Sequence, residues 1–232
     1  IHNVSRDYAI FINTALLIHV PVHIFHAISL HLPLREDMLP ATNLSQQIST
    51  AGTEASGTGN MKFMCNGALT IGTMDGANVE IAEEAGAQNM FIFGNTEEQI
   101  AKLSHTYDPF SVVMADEEIK KAIDLLFSGY FNVNEPNIFE PLRRSLFEEG
   151  DRYYHFADLR MYSEAHRAAR ELYAQDSMEW NRRAVLNVAS SGKFSSDRTI
   201  SEYARDIWDI QPCPVAKDTG EDTALQDARK RV

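Results

Sequence analysis

Cysteine is nearly missing from this 232-residue chain, with Cys65 and Cys213 as the whole supply. Two thiols build no disulfide framework, and so few fit a reducing compartment, read here as the cytoplasm. Basic residues are also short: 21 Lys and Arg face 33 Asp and Glu, for a net charge of −12. That balance argues against nucleic acid or an anionic membrane as the main partner. It also repels phosphate, so any phosphate site needs its own local positive charge. No hydrophobic run is long and clean enough to span a membrane. The most apolar stretch, 9–34, is broken by Pro21 and Pro33 and carries His19, His23, His26 and His31. His19, His23 and His26 are spaced for one helix face, but Pro21 interrupts that helix, and no metal site is expected. The start lacks the Met and basic region of a signal peptide. Repeats and low-complexity tracts are absent.

What is present is ordinary for a globular protein: 44% apolar and 23% charged residues, at a length fitting one or two domains. Residues 38–50 read as a turn followed by a polar segment. Ala68–Thr73 reads as a short strand, Met74–Ala77 as an Asp-Gly turn, and Val79–Ala85 as a helix stopped by Gly86. Asn89–Phe93 is a continuous apolar run, the pattern of a buried parallel strand. Helices follow. Thr96 is placed to cap one through Leu103, with Glu97 and Glu98 in its first turn. Asp116 opens another, with Ile119, Ile123 and Leu126 on one face and Gly129 as its stop. Gly129–Pro141 reads as a loop. Leu159, Tyr162, Ala165, Ala169, Leu172 and Tyr173 form a stripe on the next helix. Ser177 is placed to cap the one bearing Trp180, Ala184, Leu186 and Val188. Ser195 or Ser196 is placed to cap a last helix through Trp208, and both tryptophans are expected in the core. Strands alternating with helices, then a helical run, indicate an α/β fold.

The chemistry concentrates in Thr50–Phe63, where Gly52, Gly57 and Gly59 lie among small hydroxyl residues and Lys62 follows. The pattern predicts a glycine-rich loop feeding a helix near Ser56–Gly59. Unpaired amides at a helix start favour an anion, and glycine lets the backbone come close to a phosphate. Thr58 and Lys62 are four apart and so share one helix face. An anchor for a phosphate, then an amine for an aldehyde, is what a pyridoxal phosphate linkage requires. An ordinary helix-capping turn with a solvated Lys62 fits the same residues. A P-loop does not, because Thr58 stands where its lysine belongs, and the third glycine of a dinucleotide fingerprint is missing. Asp75, Glu80, Glu83 and Glu84 hint at a carboxylate pair, but a turn and a solvated helix face explain them. Asp197 and Arg198 are accounted for by a cap and an ion pair, and His105, His155 and His166 stand alone.

The literal string goes further. Glu54-Ala-Ser-Gly-Thr-Gly-Asn-Met-Lys62 and Asn66-Gly-Ala-Leu-Thr-Ile-Gly-Thr-Met-Asp-Gly-Ala-Asn-Val-Glu80 closely resemble the signature of the alpha-glucan (glycogen, starch, maltodextrin) phosphorylases. The resemblance continues through Ile81–Gly86, Met90–Gly94, Ser191–Ile200 and Tyr203–Trp208. It implies the C-terminal Rossmann-like domain of a glycosyltransferase B-type fold, in part, with a helical C-terminal region. It implies pyridoxal 5'-phosphate on Lys62, with Thr58 and Gly59 holding the cofactor phosphate. Glu54, Ala55, Ser56 and Gly57 match positions that bind sugar hydroxyls. The implied reaction is phosphorolysis of terminal alpha-1,4-linked glucose by inorganic phosphate, giving glucose 1-phosphate. The cofactor phosphate serves as the acid and base, Lys62 is the catalytic position, and no metal takes part. The parent enzyme is expected to be a homodimer and an allosteric enzyme of glycogen metabolism, with its control sites mostly outside this segment. Residues 1–37 do not share the resemblance, 38–211 are expected to form the cofactor-binding domain, and 212–232 a polar tail. A start at Ile1 and the reach of the resemblance lead to the expectation of a C-terminal fragment, inactive alone. The competing expectation is a non-catalytic product that binds sugar or a partner chain.

Overall fold

The computed structural model describes residues 39–213. The histidine-rich stretch, the bounds set at 37 and most of the polar tail lie outside the described residues. Those described fall into two units, divided between Lys193 and Phe194.

The larger unit is α/β. Strands β1 (Leu44–Gln47), β2 (Leu69–Gly72) and β3 (Phe91–Ile92) form a sheet in that order. Both pairings are parallel, Leu44 facing Leu69 and Ile71 facing Phe91. Helix α1 (Gly59–Cys65) connects β1 to β2, and α2 (Ala77–Ala85) leads from β2 towards β3. All four residues of β2 are buried, the mark of a strand covered on both faces. The 38–50 segment is therefore corrected: it contains a strand. Leu44-Ser-Gln-Gln47 carries little apolar signal, and its polar side chains are satisfied within the fold. Gln46 accepts from the Tyr162 hydroxyl at 2.9 Å, and Gln47 donates to Ser45 at 2.9 Å.

The helical half follows the caps. Helix α3 (Glu97–Leu103) opens with a reciprocal Thr96–Gln99 capping box. Asp108 caps α4 (Pro109–Ala115), which the sequence reading passed over, and Asp116 caps α5 (Glu117–Leu126). The expected loop ends before Pro141, which sits in the first turn of α6 (Glu140–Arg143), where its missing N–H costs nothing. The chain continues as a wider turn through Arg144–Glu148. Helix α7 (His155–Gln175) buries Leu159, Tyr162 and Ala169. Helix α8 (Ser177–Ser190) is capped by Asp176, not Ser177: the Asp176 carboxylate accepts from the Glu179 amide at 2.9 Å. α7 packs on β2 and β3, and α8 on α1, α2 and β2. The core joins Leu69, Ile71 and Phe91 of the sheet to Leu126, Leu146, Phe156 and Trp180.

Three apolar residues of the helical run are on the surface, among them Trp208, which was expected in the core. Val188 and Tyr173 are exposed, although the Tyr173 ring lies edge-on to Trp180 at 4.9 Å. Trp208 is 50% exposed. The second unit's helix α9 (Ser196–Asp206) ends before Trp208, so that residue leaves the helical stripe. Its indole instead meets Tyr203 edge-on at 5.7 Å.

Candidate active site at the carboxyl edge of the sheet

Parallel strands send the segments that follow them to one edge. The runs after β1 (48–58), β2 (73–76) and β3 (93–96) meet at the carboxyl edge, where open α/β sheets bind ligands. The first two are tied together. Thr73 donates its hydroxyl to the Ser49 carbonyl at 2.6 Å and its amide to the Gln47 carbonyl at 3.2 Å. Thr50 donates its hydroxyl to the Tyr153 carbonyl at 2.5 Å, fastening the loop to the start of α7.

Asp75 fixes the loop's course. Its carboxylate accepts from the amides of Gly52 (3.0 Å), Thr53 (3.3 Å) and Glu54 (2.9 Å) and from the Ser49 hydroxyl (3.0 Å). The side chain read as a simple turn residue is 8% exposed. Next to it, Gly76 adopts φ 52° and ψ −142°, a region closed to other residues. A Cβ there would lie 2.5 Å from the Ser56 carbonyl oxygen, which already accepts from the Ala77 amide at 2.6 Å. The segment Glu54–Ser56 is thus fastened to the β2–α2 turn at both ends, Glu54 by its amide on Asp75 and Ser56 by its carbonyl on the Ala77 amide, and all three residues are exposed.

Helix α1 begins where the spacing predicts. Thr58 is its cap residue, but its hydroxyl bonds no backbone amide of the helix. The Lys62 amide points back to the Thr58 carbonyl at 3.4 Å, so the two side chains stand one turn apart. Asn60 and Met64 are buried, which leaves Lys62 on the exposed side. Among the described residues Lys62 forms no ion pair, and it is the single cation between Thr50 and Cys65. A Cβ built on Gly59 meets nothing within 4 Å, so there is open space at the helix start. An unbonded Thr58 hydroxyl, an exposed Lys62 amine one turn on and open space at Gly59 are compatible with pyridoxal phosphate.

Beneath the helix runs a buried amide chain. Asn60 Nδ2 donates to Asn78 Oδ1 at 3.0 Å, and Asn78 Nδ2 donates to the carbonyls of Gln47 (3.2 Å) and Thr73 (3.0 Å). It ties α1 to α2 and to the ends of β1 and β2. On sequence Asp75 is weighed only as one of a carboxylate pair and assigned to a turn, and Gly76, Asn60 and Asn78 are not singled out. The available signal was a short polar side chain and a glycine directly after an apolar parallel strand.

The other candidates stay apart. Glu83 is exposed, and Glu84 pairs with Lys193 at 3.0 Å. Arg198 pairs with Glu202 at 2.6 Å, within the second unit. Elsewhere the perturbed groups serve the fold. Burial raises the pKa of Asp158, which accepts from the Asn95 amide (2.8 Å) and side chain (2.7 Å). Burial and the Asp151 charge push Tyr107 far above its usual range. Two arginines, Arg182 and Arg183, hold Glu179 at about 2. No cluster of three His, Cys, Asp or Glu suited to a metal occurs among the described residues.

The chain matches the carbohydrate phosphorylase family over residues 3–210, and it belongs to that family. The matched span takes in residues 3–37, which were set apart on sequence. Among relatives, it is 53% identical over 183 residues to the liver form of glycogen phosphorylase of Bos taurus, covering 78% of this chain and 21% of that one. It is 52% identical over 180 residues to the human brain form, covering 77% and 21%. It is 50% identical over 177 residues to the glycogen phosphorylase of Chlamydia pneumoniae, covering 76% and 21%. The chain therefore spans about a fifth of the length of the curated relatives it matches.

Proposed function

We propose that this chain is the cofactor-bearing part of an alpha-glucan phosphorylase, a hexosyltransferase that cleaves terminal alpha-1,4-linked glucose with inorganic phosphate to give glucose 1-phosphate. The observation that carries it is the pairing, in a member of this family, of an unpartnered Lys62 with the free Thr58 hydroxyl one turn away over open space at Gly59. Lys62 would hold pyridoxal phosphate covalently through its amine, and Thr58 and Gly59 would hold the cofactor phosphate. When bound, the cofactor supplies a phosphate whose second ionisation near neutrality lets it give and take a proton.

The chain's own residues do the binding. The Glu54 carboxylate, the Ser56 hydroxyl and the backbone of Ala55 and Gly57 offer donors and acceptors for sugar hydroxyls. Groups fixed in this way select hydroxyls, because an analogue lacking one leaves them unpaired. Residues 38–211 are the proposed cofactor-binding domain, in a glycosyltransferase B-type fold, with 212–232 a polar tail. The parent enzyme is proposed to be cytoplasmic, dimeric and allosteric. The chain alone is proposed to turn over no glucan, since in the resembling enzymes further active-site groups lie outside the matched residues.

Amide NMR of the chain tests the reading. Pyridoxal phosphate should shift Thr58–Lys62, and glucose 1-phosphate should shift Glu54–Gly57. Shifts scattered elsewhere, or none, refute it.

A further inference from the structure

We propose that Asp75 is a positioning residue that sets the sugar-contacting loop, while cofactor capture at Lys62 proceeds without it. The proposal rests on the sugar reading of Glu54–Gly57 for its consequence, but on geometry alone for its cause. One carboxylate gathers four donors. Oδ1 takes the Gly52 amide, and Oδ2 takes the amides of Thr53 and Glu54 and the Ser49 hydroxyl. Three successive amides turned towards one acceptor define the backbone path into Glu54. The loop is seated a second time by the Ala77 amide on the Ser56 carbonyl. Neither Lys62 nor Thr58 takes part in these contacts. Helix α1 stands on Asn60 and Met64, which are buried, and on the Asn60–Asn78 bond.

The arrangement distinguishes two substitutions. Asp75→Ala removes all four acceptor contacts. Asp75→Asn keeps one oxygen, which serves most donors at the Oδ2 position and turns its NH2 group against the Gly52 amide. A graded pattern follows. In Asp75→Asn, exchange of the Gly52 amide proton rises about tenfold. In Asp75→Ala, exchange at Gly52 and Glu54 rises about tenfold or more each, while the Thr53 amide keeps the Thr50 carbonyl at 3.0 Å. Amides of β2 stay protected in both. A residue acting only through overall stability would raise exchange everywhere together.

The experiment is hydrogen exchange on the chain and both variants, with glucose 1-phosphate shifts read at Glu54–Gly57 and borohydride-fixed pyridoxal phosphate read at Lys62. Faster local exchange at Gly52 and Glu54, loss of the sugar-phosphate response and retained labelling of Lys62 in Asp75→Ala support the proposal. Unchanged exchange at those amides, an undiminished sugar-phosphate response, or loss of Lys62 labelling in a folded variant overturns it. If the unsubstituted chain shows no sugar-phosphate response, the sugar reading of the loop fails. The exchange pattern then still decides whether Asp75 holds the loop.

Discussion

Replacing Asn78 by alanine should cost about 2–4 kcal/mol. Asn78 is 2% exposed and makes three side-chain hydrogen bonds, to Asn60, to the Gln47 carbonyl and to the Thr73 carbonyl. At about 1 kcal/mol per bond, the direct loss is about 3 kcal/mol. Two corrections act in opposite directions. The Gln47 carbonyl keeps the Thr73 amide, and the Thr73 carbonyl keeps the Asp75 amide, so neither is orphaned. The Asn60 amide group loses its partner inside the fold, and an unsatisfied buried donor costs about 1–3 kcal/mol. For a unit of this size the expected drop in Tm is roughly 5–15 °C. Urea unfolding followed by Trp180, in a Trp208→Phe background, measures it, since Trp180 is buried against Phe91 and Tyr173. A double-mutant cycle with Asn60→Ala should show about 1 kcal/mol of coupling. A loss under 1 kcal/mol, or an additive cycle, would refute the idea that this amide chain ties α1 to the sheet edge.

Other consequences are open to test. Gly76→Ala forces a side chain into a glycine-only conformation with its Cβ 2.5 Å from the Ser56 carbonyl. It should cost about 1–3 kcal/mol and speed Glu-specific proteolysis at Glu54. His166 is held below its ordinary pKa of 6.5 by burial and the nearby Arg170 charge. The unfolded chain therefore takes up that proton more readily, and the stability present above pH 6.5 drains away as pH falls. Tm should fall from pH 7.5 to 5.5, and His166→Asn should flatten the slope; an unchanged slope counts against burial as the cause.

Much of this was open to sequence reading where local chemistry decides structure. Thr96 before Glu97 and Glu98, Asp116 before Ile119, and Gly86 after Ala85 announce helix ends through caps that act within a turn. β2 was legible as a short strand, and all four of its residues are buried. The misses share a physical cause: the deciding partner is distant in sequence. β1 is polar because Tyr162 satisfies Gln46 across 116 positions. Asp75 looked like a turn residue because its donors lie 21 to 26 positions earlier. Tyr173 and Val188 fell on apolar stripes, yet those turns face outward, and Trp208 lies past the end of its helix. The one-turn relation of Thr58 and Lys62 was legible through spacing, since helix geometry alone fixes it. The loop's shape was not, because it hangs on Asp75 and Gly76.

Lys62 is proposed as the cofactor lysine. The direct measurement is to incubate the chain with pyridoxal phosphate, reduce with borohydride, and map the modified peptide by mass spectrometry. The account predicts labelling concentrated on Lys62, weakened by substitution of Thr58 or Gly59 and abolished in Lys62→Arg. Labelling spread evenly over the surface lysines, unaffected by those substitutions, would contradict it.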